Sequence, residues 1–496
     1  MDICVIGAGA AGITIARHFT GSRHRLLLIE SGGLHFEYGS QRLSRGVIAG
    51  EAYDPLDLSR VRQFGGSTGK AGWGGWCKPL STGDFEPRPW VPLSGWPLTP
   101  AALAPYYDKA RQSLALDDGI DWESEALHGE AESLRLEPCA LSPAPDLGRN
   151  ALPSLSASPN IHVLHHATVA RLIRVPGSAR IDSAEVVTGN RQRRRVRARI
   201  FILAAGGLEN PRLLLLSDIG NGHDLVGRYF MEHPRIRWGR LTADAPLDRL
   251  HRLVPNGQVQ QNAPATANFA GLTVDAALEE RLHLLKSRSW LKRTPAIGHG
   301  EGARALNDLS FWLRKGRRPP HIRRDIRVLL RHAPEAATTL FDRLKRGRHG
   351  PVSYSFDTIM EQEPDYNSRV RLDEQHDFHG LPMIRLEWRL SSLVHDSFAK
   401  TRQLIMQDLR RLGYACDDAA PSGPIRWVRH HMGTTRMAQN ARQGVVDSDC
   451  RLFDAPNVFV AGSSVFPCGG NDMPTMTIVA LAHRIAERVE QEVAQY

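Results

Sequence analysis

The first 33 residues of this 496-residue chain restrict its fold more than any other stretch. The apolar run Ile3–Ile6 predicts a buried strand. Three glycines at the spacing G-x-G-x-x-G follow at once, and apolar residues then recur at helical spacing. A second apolar run, Leu26–Ile29, ends in the acid Glu30. A strand, a glycine turn, a helix and a strand that closes on an acid form a unit that binds dinucleotides, so the sequence predicts a dinucleotide site here.

Each part of this unit has a physical role at such a site. Gly7 permits the tight turn, Gly9 lets the backbone approach a pyrophosphate, and Gly12 lets the helix pack against the strand. The helix N-terminus offers free N–H groups and a positive dipole end to the phosphates. Glu30, 18 residues after Gly12, is placed to accept hydrogen bonds from ribose hydroxyls. Because the chain continues after Glu30 with little periodicity, the pattern favours a flavin domain assembled from distant segments over a nicotinamide domain.

Length and composition allow two or more domains and indicate no special class. Hydrophobic residues at 42% and charged residues at 23% are ordinary for a globular protein. No apolar run is long enough to predict a membrane span, and the first strand begins at Ile3, which leaves no room for a signal peptide. We therefore expect a cytoplasmic location. The six cysteines are scattered and form no C-x-x-C pair, so we expect reduced thiols and no metal site.

The net charge of +10 raises the question of a nucleic-acid partner. We predict none, because 55 of the 63 basic residues are arginines, a bias that codon composition can produce, and no nucleic-acid module is visible. Residues 314–348 nevertheless hold 12 basic and 3 acidic residues, with apolar residues at helical spacing inside the segment. This segment predicts a basic amphipathic helix, and we favour a solvated helix on a variable domain. The alternative is a helix that touches a membrane surface or an acidic partner.

A glycine-rich stretch at residues 60–78 predicts a second contact with the cofactor. Glycines at this density let the backbone turn sharply or approach a large flat group. The alternative is a flexible surface loop, but the aromatic residues inside the stretch argue against full exposure. The predicted contacts are Gly65, Gly66, Ser67, Trp73 and Gly74.

Further along the chain, apolar periodicity predicts the remaining elements. Residues 117–160 are acidic and then rich in proline and serine, which indicates a surface connection. Residues 161–200 predict three short strands in an antiparallel meander. Residues 200–207 form a very apolar strand that ends in two glycines, followed by a helix over 209–217. That arrangement repeats the opening unit and predicts a returning strand of the same parallel sheet.

The middle and the end of the chain differ in character. Residues 236–420 alternate in several stretches, with an amphipathic helix over 393–412, and predict a domain that covers the cofactor and shapes the substrate pocket. In the last 70 residues, a histidine-bearing loop at 430–437 and an apolar strand at 458–464 precede a long helix over 475–493. Pro474 suits the first position of that helix. The helix N-terminus is expected to stabilise negative charge that develops on a flavin.

The predicted fold class is α/β, with a discontinuous doubly wound, Rossmann-like FAD-binding domain and a substrate domain that has an antiparallel sheet and flanking helices. The FAD-binding domain is expected to comprise residues 1–116, 161–235 and 421–496. Residues 117–160 are the expected surface connection, and residues 236–420 the substrate-binding domain.

With both ends analysed, the chain resembles the glucose-methanol-choline (GMC) family of flavin oxidoreductases over almost its whole length except the middle. Five ordered motifs carry the resemblance: the opening unit, 64–68 with 73–75, 205–212, 226–234 and the C-terminal block. The family implies that an alcohol is oxidised, with a base that takes the hydroxyl proton while hydride passes to flavin N5. By this resemblance the base is His430, the first residue of an H-x-x-G-T loop, and His431 is its neighbour. A neutral imidazole suits this role because its pKa lies near the working pH.

The resemblance also implies a set of cofactor contacts beyond the glycine motifs. These additional predicted FAD-binding residues are Val169, Ala205, Gly206, Gly462, Ser463, Pro474 and Thr475.

Two departures from the family pattern affect the predicted chemistry. The family usually has a second His or Asn just before the proline of the last helix, and this position is Met473 here. A thioether cannot donate a hydrogen bond, so we predict that Asn471, or else Asp472, takes over. Some relatives attach the flavin through a histidine before the tryptophan of the glycine-rich loop. Lys70-Ala71-Gly72 precede the tryptophan here, so we expect non-covalent FAD.

The leading hypothesis is an FAD-dependent oxidation of CH–OH to C=O on a sugar, polyol or related hydroxylated metabolite. A dehydrogenase is favoured over an oxidase, and the electron acceptor, whether oxygen, quinone or another, is not indicated. One alternative is a redox-neutral, lyase-type flavoenzyme of the same fold, which Met473 supports. Another is a non-catalytic flavoprotein that binds a partner through residues 314–348.

Overall fold

A computed structural model of the chain describes residues 1–69, 73, 75–127, 132–242, 250–254, 267–295, 302, 305–306, 309–310, 313, 322–345, 352–417, 425–471 and 473–494. The predicted contact Gly74, the alternative donor Asp472, the Lys70-Ala71-Gly72 run and parts of the basic segment 314–348 lie outside these residues.

A five-stranded parallel sheet forms the centre of the fold. Ile3 pairs with Ile200 on one side and with Leu26 on the other, so the opening strand is central. The opening strand is fully buried because every residue in it is apolar, as expected for a parallel sheet covered on both faces. In spatial order the strands are Val458–Val460, Ile200–Leu203, Ile3–Ile6, Leu26–Ile29 and Ile161–Leu164.

Long helices cover this sheet and share its hydrophobic core. The glycine turn leads directly into the helix Ala10–His18, which packs against the C-terminal helix Thr475–Val493. The core between sheet and helices includes Phe19, Phe201 and Phe459, all fully buried. The helices of eight or more residues are Ala10–His18, Pro100–Ser113, Leu147–Ala157, Glu209–Ser217, Ile322–Arg331, Ala333–Lys345, Ser392–Arg411 and Thr475–Val493. Shorter helices are Tyr38–Gln41, Leu56–Ser59 and Ala276–Arg281.

An eight-stranded sheet forms a second layer. Its pairings among the described strands are antiparallel, with Val352–Met360 placed between Arg235–Thr242 and Ser287–Pro295. The spatial order is Cys416–Asp417, Arg235–Thr242, Val352–Met360, Ser287–Pro295, Ala267–Val274, Leu134–Leu141 and Trp76–Cys77, with Glu125–Ala126 paired to Leu134–Leu141. A separate hydrophobic cluster that includes Trp238 and Phe356 fills the side of this sheet against the helix Ser392–Arg411.

Two three-stranded sheets complete the described fold. The strands Ala167–Arg174, Ile181–Thr188 and Arg193–Arg197 form an antiparallel meander. In the other sheet, Pro382–Trp388 lies between Arg369–His376 and Gly46–Gly50 and pairs in parallel with the latter.

The predicted fold class is confirmed, since a parallel Rossmann-like sheet and separate antiparallel sheets are both present. The predicted helices over 209–217 and 475–493 have the observed bounds. The predicted meander is present, but its first strand is two strands: Ile161–Leu164 joins the parallel sheet and only Ala167–Arg174 joins the meander.

One predicted segment is wrong. Residues 117–160 do not merely connect over the surface, because Leu134–Leu141 pairs along its whole length with Ala267–Val274 inside the eight-stranded sheet. Pro138, which lacks an N–H and usually argues against an interior strand position, masked the alternation of buried leucines in the sequence. The following helix, Leu147–Ala157, buries Ala151 and Leu155 in the main core.

Among the described residues, no helix is both long enough and apolar enough to cross a membrane. The part of the basic segment that the structure describes contains two helices, Ile322–Arg331 and Ala333–Lys345. Contact of these helices with a membrane surface or an acidic partner stays a prediction.

Candidate active site

A cavity of about 1160 Å³ lies where the parallel sheet meets the eight-stranded sheet. Glycine turns that follow three neighbouring parallel strands form one side, through Gly7, Gly206 and Gly462. Residues of the eight-stranded sheet, including Trp290 and Asp357, form another side. The carboxyl edge of a parallel sheet is the place where such folds bind ligands, and the sequence brings most of its predicted site residues to this edge.

The three glycines of the opening turn differ in what they make possible. A Cβ at Gly7, where φ is +106°, would lie 2.5 Å from the Ala204 carbonyl oxygen. A Cβ at Gly12 would lie 1.9 Å from the Gly7 carbonyl oxygen. A Cβ at Gly9 would meet no protein atom within 4 Å, and Gly9 lines the cavity. Gly7 and Gly12 therefore hold the turn and the helix together, whereas Gly9 keeps space open for a ligand.

Glu30 closes the second strand and lies 5% exposed at the same end of the cavity. Its carboxylate accepts hydrogen bonds from the backbone N–H groups of Ala8, at 3.0 Å, and Gly32, at 2.8 Å. Burial raises the pKa of this carboxyl, while the two backbone bonds and the Arg62 guanidinium oppose that shift. Glu30 thus joins the glycine turn to the following loop, and its contact with ribose hydroxyls stays a prediction.

Most of the predicted cofactor residues come together around the cavity. Gly12 lies behind the lining against Gly7, and Gly65 lies behind it against Gly148, with its N–H bonded to the Ala8 oxygen at 2.8 Å. The predicted residues that line the cavity are Gly7, Gly9, Glu30, Gly66, Ser67, Trp73, Val169, Ala205, Gly206, Gly462, Ser463, Pro474 and Thr475. The residues present therefore fit an extended dinucleotide that runs along the sheet edge.

The helix Thr475–Val493 begins at the cavity wall. Pro474 and Thr475 line the cavity, and the 19-residue helix runs away from it through the core. The partial positive charge of the helix N-terminus is therefore presented to the cavity, where it favours negative charge.

His430 lines the cavity on the side of the eight-stranded sheet. Its loop pairs with residues 231–235 through isolated bridges between Met231 and Met432 and between Arg235 and Arg426. The preceding residue, Arg429, has a left-handed backbone with φ of +72°, and its guanidinium bonds the Asp54 carboxylate at 3.1 Å. Strained backbone of this kind is concentrated at functional sites.

A second histidine, His233, determines which nitrogen of His430 carries the proton. His233 is fully buried, with Nε2 2.8 Å from the Gly470 carbonyl oxygen and Nδ1 2.8 Å from His430 Nδ1. A carbonyl oxygen only accepts, so His233 Nε2–H is the donor, and the other nitrogen of the neutral ring is an acceptor. His430 Nδ1–H must then donate to His233. The free lone pair of His430 is therefore on Nε2, which has no hydrogen-bond partner among the described residues.

Burial keeps both rings neutral. The pKa of His430 lies well below its ordinary value, first because the ring is buried and then because His233 and His431 are close. Burial also lowers the pKa of His233 to about 4. At neutral pH the lone pair on His430 Nε2 is thus available to accept a proton.

Glu232 holds the backbone of this histidine pair. One carboxylate oxygen accepts from the backbone N–H of His430 at 2.7 Å and of His233 at 2.9 Å, and the other accepts from the Tyr53 hydroxyl at 2.5 Å. Burial raises the pKa of Glu232 to about 7, against the effect of these hydrogen bonds. His431, the predicted neighbour of the base, places Nε2 3.0 Å from the same Tyr53 hydroxyl.

The structure does not bring Asn471 to the cavity. Its side chain is 3% exposed and donates to the Ser287 carbonyl oxygen at 2.9 Å. Met473 lines the cavity instead, packed in an apolar cluster with Trp290, Ile359 and Val428. Within the described chain, the position next to the final proline therefore presents an apolar wall to the cavity.

Sequence reasoning missed His233, Glu232 and Tyr53. Glu232 and His233 lie in the motif over 226–234. The signal available in the sequence was an acid next to a histidine, directly before Pro234. Their partners are far along the chain, since His233 and His430 are 197 positions apart, and no local pattern connects them.

Comparison with known proteins identifies one family of similar sequences. The sequence models of the GMC oxidoreductase family match residues 138–235 and residues 364–482. The chain is 25% identical to the paromamine 6'-oxidase of Streptomyces fradiae over 550 aligned positions. This alignment covers 98% of this chain and 91% of the oxidase. It is 25% identical to the fructose dehydrogenase large subunit of Gluconobacter japonicus over 64% of this chain and 52% of that subunit.

Solved structures show the same fold over the whole length. Pyridoxine 4-oxidase from Mesorbium loti superimposes with a TM-score of 0.55 at 16% identity, and covers 99% of both chains. Formate oxidase of Aspergillus oryzae superimposes with a TM-score of 0.53 at 17% identity, over 99% of this chain and 98% of the other. At these identities the likeness concerns the fold alone.

Proposed function

This chain belongs to the GMC oxidoreductase family, and we propose that it oxidises the CH–OH group of a sugar, polyol or related hydroxylated metabolite to C=O with bound FAD. The names of the relatives, which include sugar oxidases and dehydrogenases, support oxidation of a hydroxyl group in general. The single observation that carries the proposal is the lone pair on His430 Nε2, which the His233 contact at 2.8 Å leaves available in a ring that lines the cavity.

FAD, when bound, supplies the acceptor for the hydride that leaves the alcohol carbon. The residues of this chain perform the proton transfer. His430 Nε2 accepts the hydroxyl proton while Nδ1–H stays bonded to His233. A positioned base of this kind contributes about 10²- to 10⁴-fold to the rate. The apolar wall of Met473, Trp290 and Ile359 excludes water around the reacting carbon.

The glycine turn is the observation that supports FAD as the group held in the cavity. Gly66, where φ is +53°, lies in a second loop that approaches the opening turn closely. A Cβ at Gly66 would lie 3.0 Å from the Gly9 Cα. Two backbone segments without side chains thus face each other where a pyrophosphate needs close approach. Non-covalent attachment is part of the proposal and is supported by the sequence, in which no histidine stands in the run before Trp73.

The proposed enzyme is a dehydrogenase rather than an oxidase, with an acceptor other than oxygen. The names of the relatives include both kinds, so the choice needs a measurement. Anaerobically reduced enzyme should be reoxidised faster by a quinone or dye than by air. Reoxidation by air at an equal or higher rate would contradict the dehydrogenase.

A redox-neutral reaction of the same fold is the second candidate. It is favoured by Met473, because the wall beside the proposed base presents a thioether where the family pattern has a hydrogen-bond donor. Such an enzyme would bind FAD and never bleach with an alcohol.

The test is anaerobic mixing of the FAD-loaded protein with a panel of sugars, polyols, amino sugars and glycosides, followed at the visible absorption band of the flavin. The proposal is supported if one class of compound bleaches the flavin and the rate of bleaching falls by about 10²-fold or more in His430→Ala. His162→Ala is the matched control, because this histidine is exposed on the edge strand Ile161–Leu164. Bleaching that survives in His430→Ala would refute the proposed base.

A further inference from the structure

The loop over residues 468–471 reaches the proposed base through one carbonyl group. His233 Nε2 donates to the Gly470 carbonyl oxygen at 2.8 Å, and His233 Nδ1 lies 2.8 Å from His430 Nδ1. Gly469 of the same loop also faces the His233 ring, since a Cβ there would lie 3.4 Å from Nε2. The position of this loop therefore bears on the base, although the loop does not bond to His430 itself.

The histidine pair has two proton arrangements that keep the bond between the rings. In the first, His233 carries its proton on Nε2 and accepts from His430 Nδ1–H, which leaves His430 Nε2 free to act as a base. In the second, His233 carries its proton on Nδ1 and donates to His430, whose own proton then occupies Nε2 and blocks the base. Only the first arrangement gives the Gly470 oxygen a donor, because a carbonyl oxygen accepts and never donates. The Gly470 carbonyl thus selects the active arrangement for as long as it stays in place.

The side chain of Asn471 restrains this carbonyl from one side. The Gly470 C=O and the Asn471 N–H belong to one planar peptide group. Asn471 is 3% exposed, and its amide donates to the Ser287 carbonyl oxygen at 2.9 Å, at the start of the strand Ser287–Pro295. Because this bond holds the residue that follows the carbonyl, it restricts how the shared peptide group can turn.

A buried ion pair restrains the loop from the other side. The carboxylate of Asp84 is fully buried and binds Lys286 Nζ at 2.6 Å. Asp84 also packs against Gly470, where a Cβ would lie 3.0 Å from Oδ1, and its carbonyl oxygen accepts from the Cys468 thiol at 3.6 Å. Since Lys286 directly precedes Ser287, the two restraints on the loop meet at one point of the eight-stranded sheet.

We propose that Asn471 is a positioning residue, whose bond to Ser287 holds the carbonyl of Gly470 in place. That carbonyl keeps the proton of His233 on Nε2 and thereby leaves His430 Nε2 free. The inference rests on the proposed function, in which His430 is the base, and it adds a residue that acts without contact to the substrate.

Asn471→Leu tests this role, because leucine has a similar size and no donor. The kcat of the FAD-loaded variant should fall about 5- to 150-fold, the effect of taking the acceptor from one buried donor, while KM stays within about twofold. ¹⁵N NMR of labelled histidine should show His430 with its proton partly on Nε2. Wild-type kcat with unchanged nitrogen protonation would overturn the proposal. If the leucine variant does not fold, Asn471→Ala removes the same donor with less volume.

A double variant separates positioning from a general loss of structure. Because Asn471 acts only through the His233 ring, Asn471→Leu should change kcat by less than about twofold in a His233→Leu background. An equal loss of kcat in both backgrounds would contradict the proposal.

Asn457→Leu is the matched control. Asn457 is also buried and donates to two backbone carbonyl oxygens, those of Ile181 and Arg199, each at 2.9 Å. It precedes the strand Val458–Val460, at the edge of the parallel sheet opposite the cavity. The control should lower Tm but leave kcat and the proton position on the base unchanged. A proton shift equal to that in Asn471→Leu would contradict a specific role of the loop.

The NMR measurement also separates this inference from the proposed function. If no alcohol bleaches the flavin but Asn471→Leu moves the His430 proton to Nε2, alcohol oxidation fails and the positioning role stands. If an alcohol bleaches the flavin but Asn471→Leu leaves that proton on Nδ1, the oxidation stands and the positioning role fails.

Discussion

Replacement of His233 by leucine should impair catalysis through the proton position on His430. The leucine removes the acceptor that lies 2.8 Å from His430 Nδ1. The buried Nδ1–H then has no partner, which costs about 1–3 kcal/mol. The ring relieves this cost by carrying its proton on Nε2, the nitrogen that must be free to accept the substrate proton.

The size of the effect follows from that cost. To regain the reactive form, the variant must leave Nδ1–H unpaired again, so about 1–3 kcal/mol is added to the barrier. At 1.36 kcal/mol for each factor of ten, kcat should fall about 5- to 150-fold. The loss should be smaller than in His430→Ala, which removes the base altogether and its contribution of about 10²- to 10⁴-fold.

His233→Gln is the matched control for this prediction. A glutamine can accept from His430 through its carbonyl oxygen and donate to the Gly470 oxygen through its amide, as His233 does. It should retain much more of kcat than the leucine variant at similar thermal stability. The assay is steady-state kcat at full FAD loading, with ¹⁵N NMR of labelled histidine to identify the protonated nitrogen of His430. A leucine variant with wild-type kcat and unchanged nitrogen protonation would refute the reasoning.

Three further predictions concern the cofactor turn and the ionisable groups. Gly9→Ala should leave the thermal stability of the FAD-free protein unchanged but weaken FAD binding about tenfold or more, because its Cβ would enter empty space where the cofactor is expected. Gly12→Ala, whose Cβ would lie 1.9 Å from the Gly7 oxygen, should lower both Tm and FAD content. Equal behaviour of the two variants would contradict the described turn. Only neutral His430 accepts a proton, and its pKa is lowered well below its ordinary value. The value of kcat/KM should therefore be level from about pH 6.5 to 8 and fall only below that range. A decrease of kcat/KM centred above about pH 6.5 would contradict His430 as a base that is neutral throughout this range. The pKa of Glu232 is raised from 4.5 to about 7 in the folded state, so the folded state holds this proton more tightly and stability falls as pH rises between these two values. Glu232→Gln should therefore flatten the dependence of Tm on pH between about pH 5 and 7. An unchanged pH dependence of Tm would refute the raised pKa of Glu232.

Local sequence patterns predicted those strands and helices whose burial can be recognised within a short segment. The strand Ile3–Ile6 is apolar throughout because it is central in a parallel sheet, and the helix Thr475–Val493 has an apolar stripe long enough to define both ends. The strand Leu134–Leu141 was missed because Pro138 interrupts its pattern and its partner strand begins at residue 267. Pairing over such distances leaves no local trace.

The candidate site was predictable to a similar extent. The glycine turn and His430 are carried by motifs, and they lie at the cavity as predicted. The proton position on His430 depends on His233 and on the Gly470 carbonyl, which tertiary folding alone brings together. Asn471 has the right chemistry for a second donor, but its side chain bonds Ser287 away from the cavity, and side-chain direction in a loop does not follow from spacing.

The continuous chain from Met231 to Thr242 has a consequence for domain exchange between relatives. It begins beside the base loop, where Met231 pairs with Met432, passes His233, and enters the eight-stranded sheet at Arg235. A chimera joined at the expected boundary between residues 235 and 236 would divide this chain and place Arg235 and its ion-pair partner Asp357 under different parents. A one-residue mismatch at that junction would also invert the face of every following side chain. Chimeras that alter substrate choice should therefore keep residues 231–242 and the loop at 426–432 from one parent.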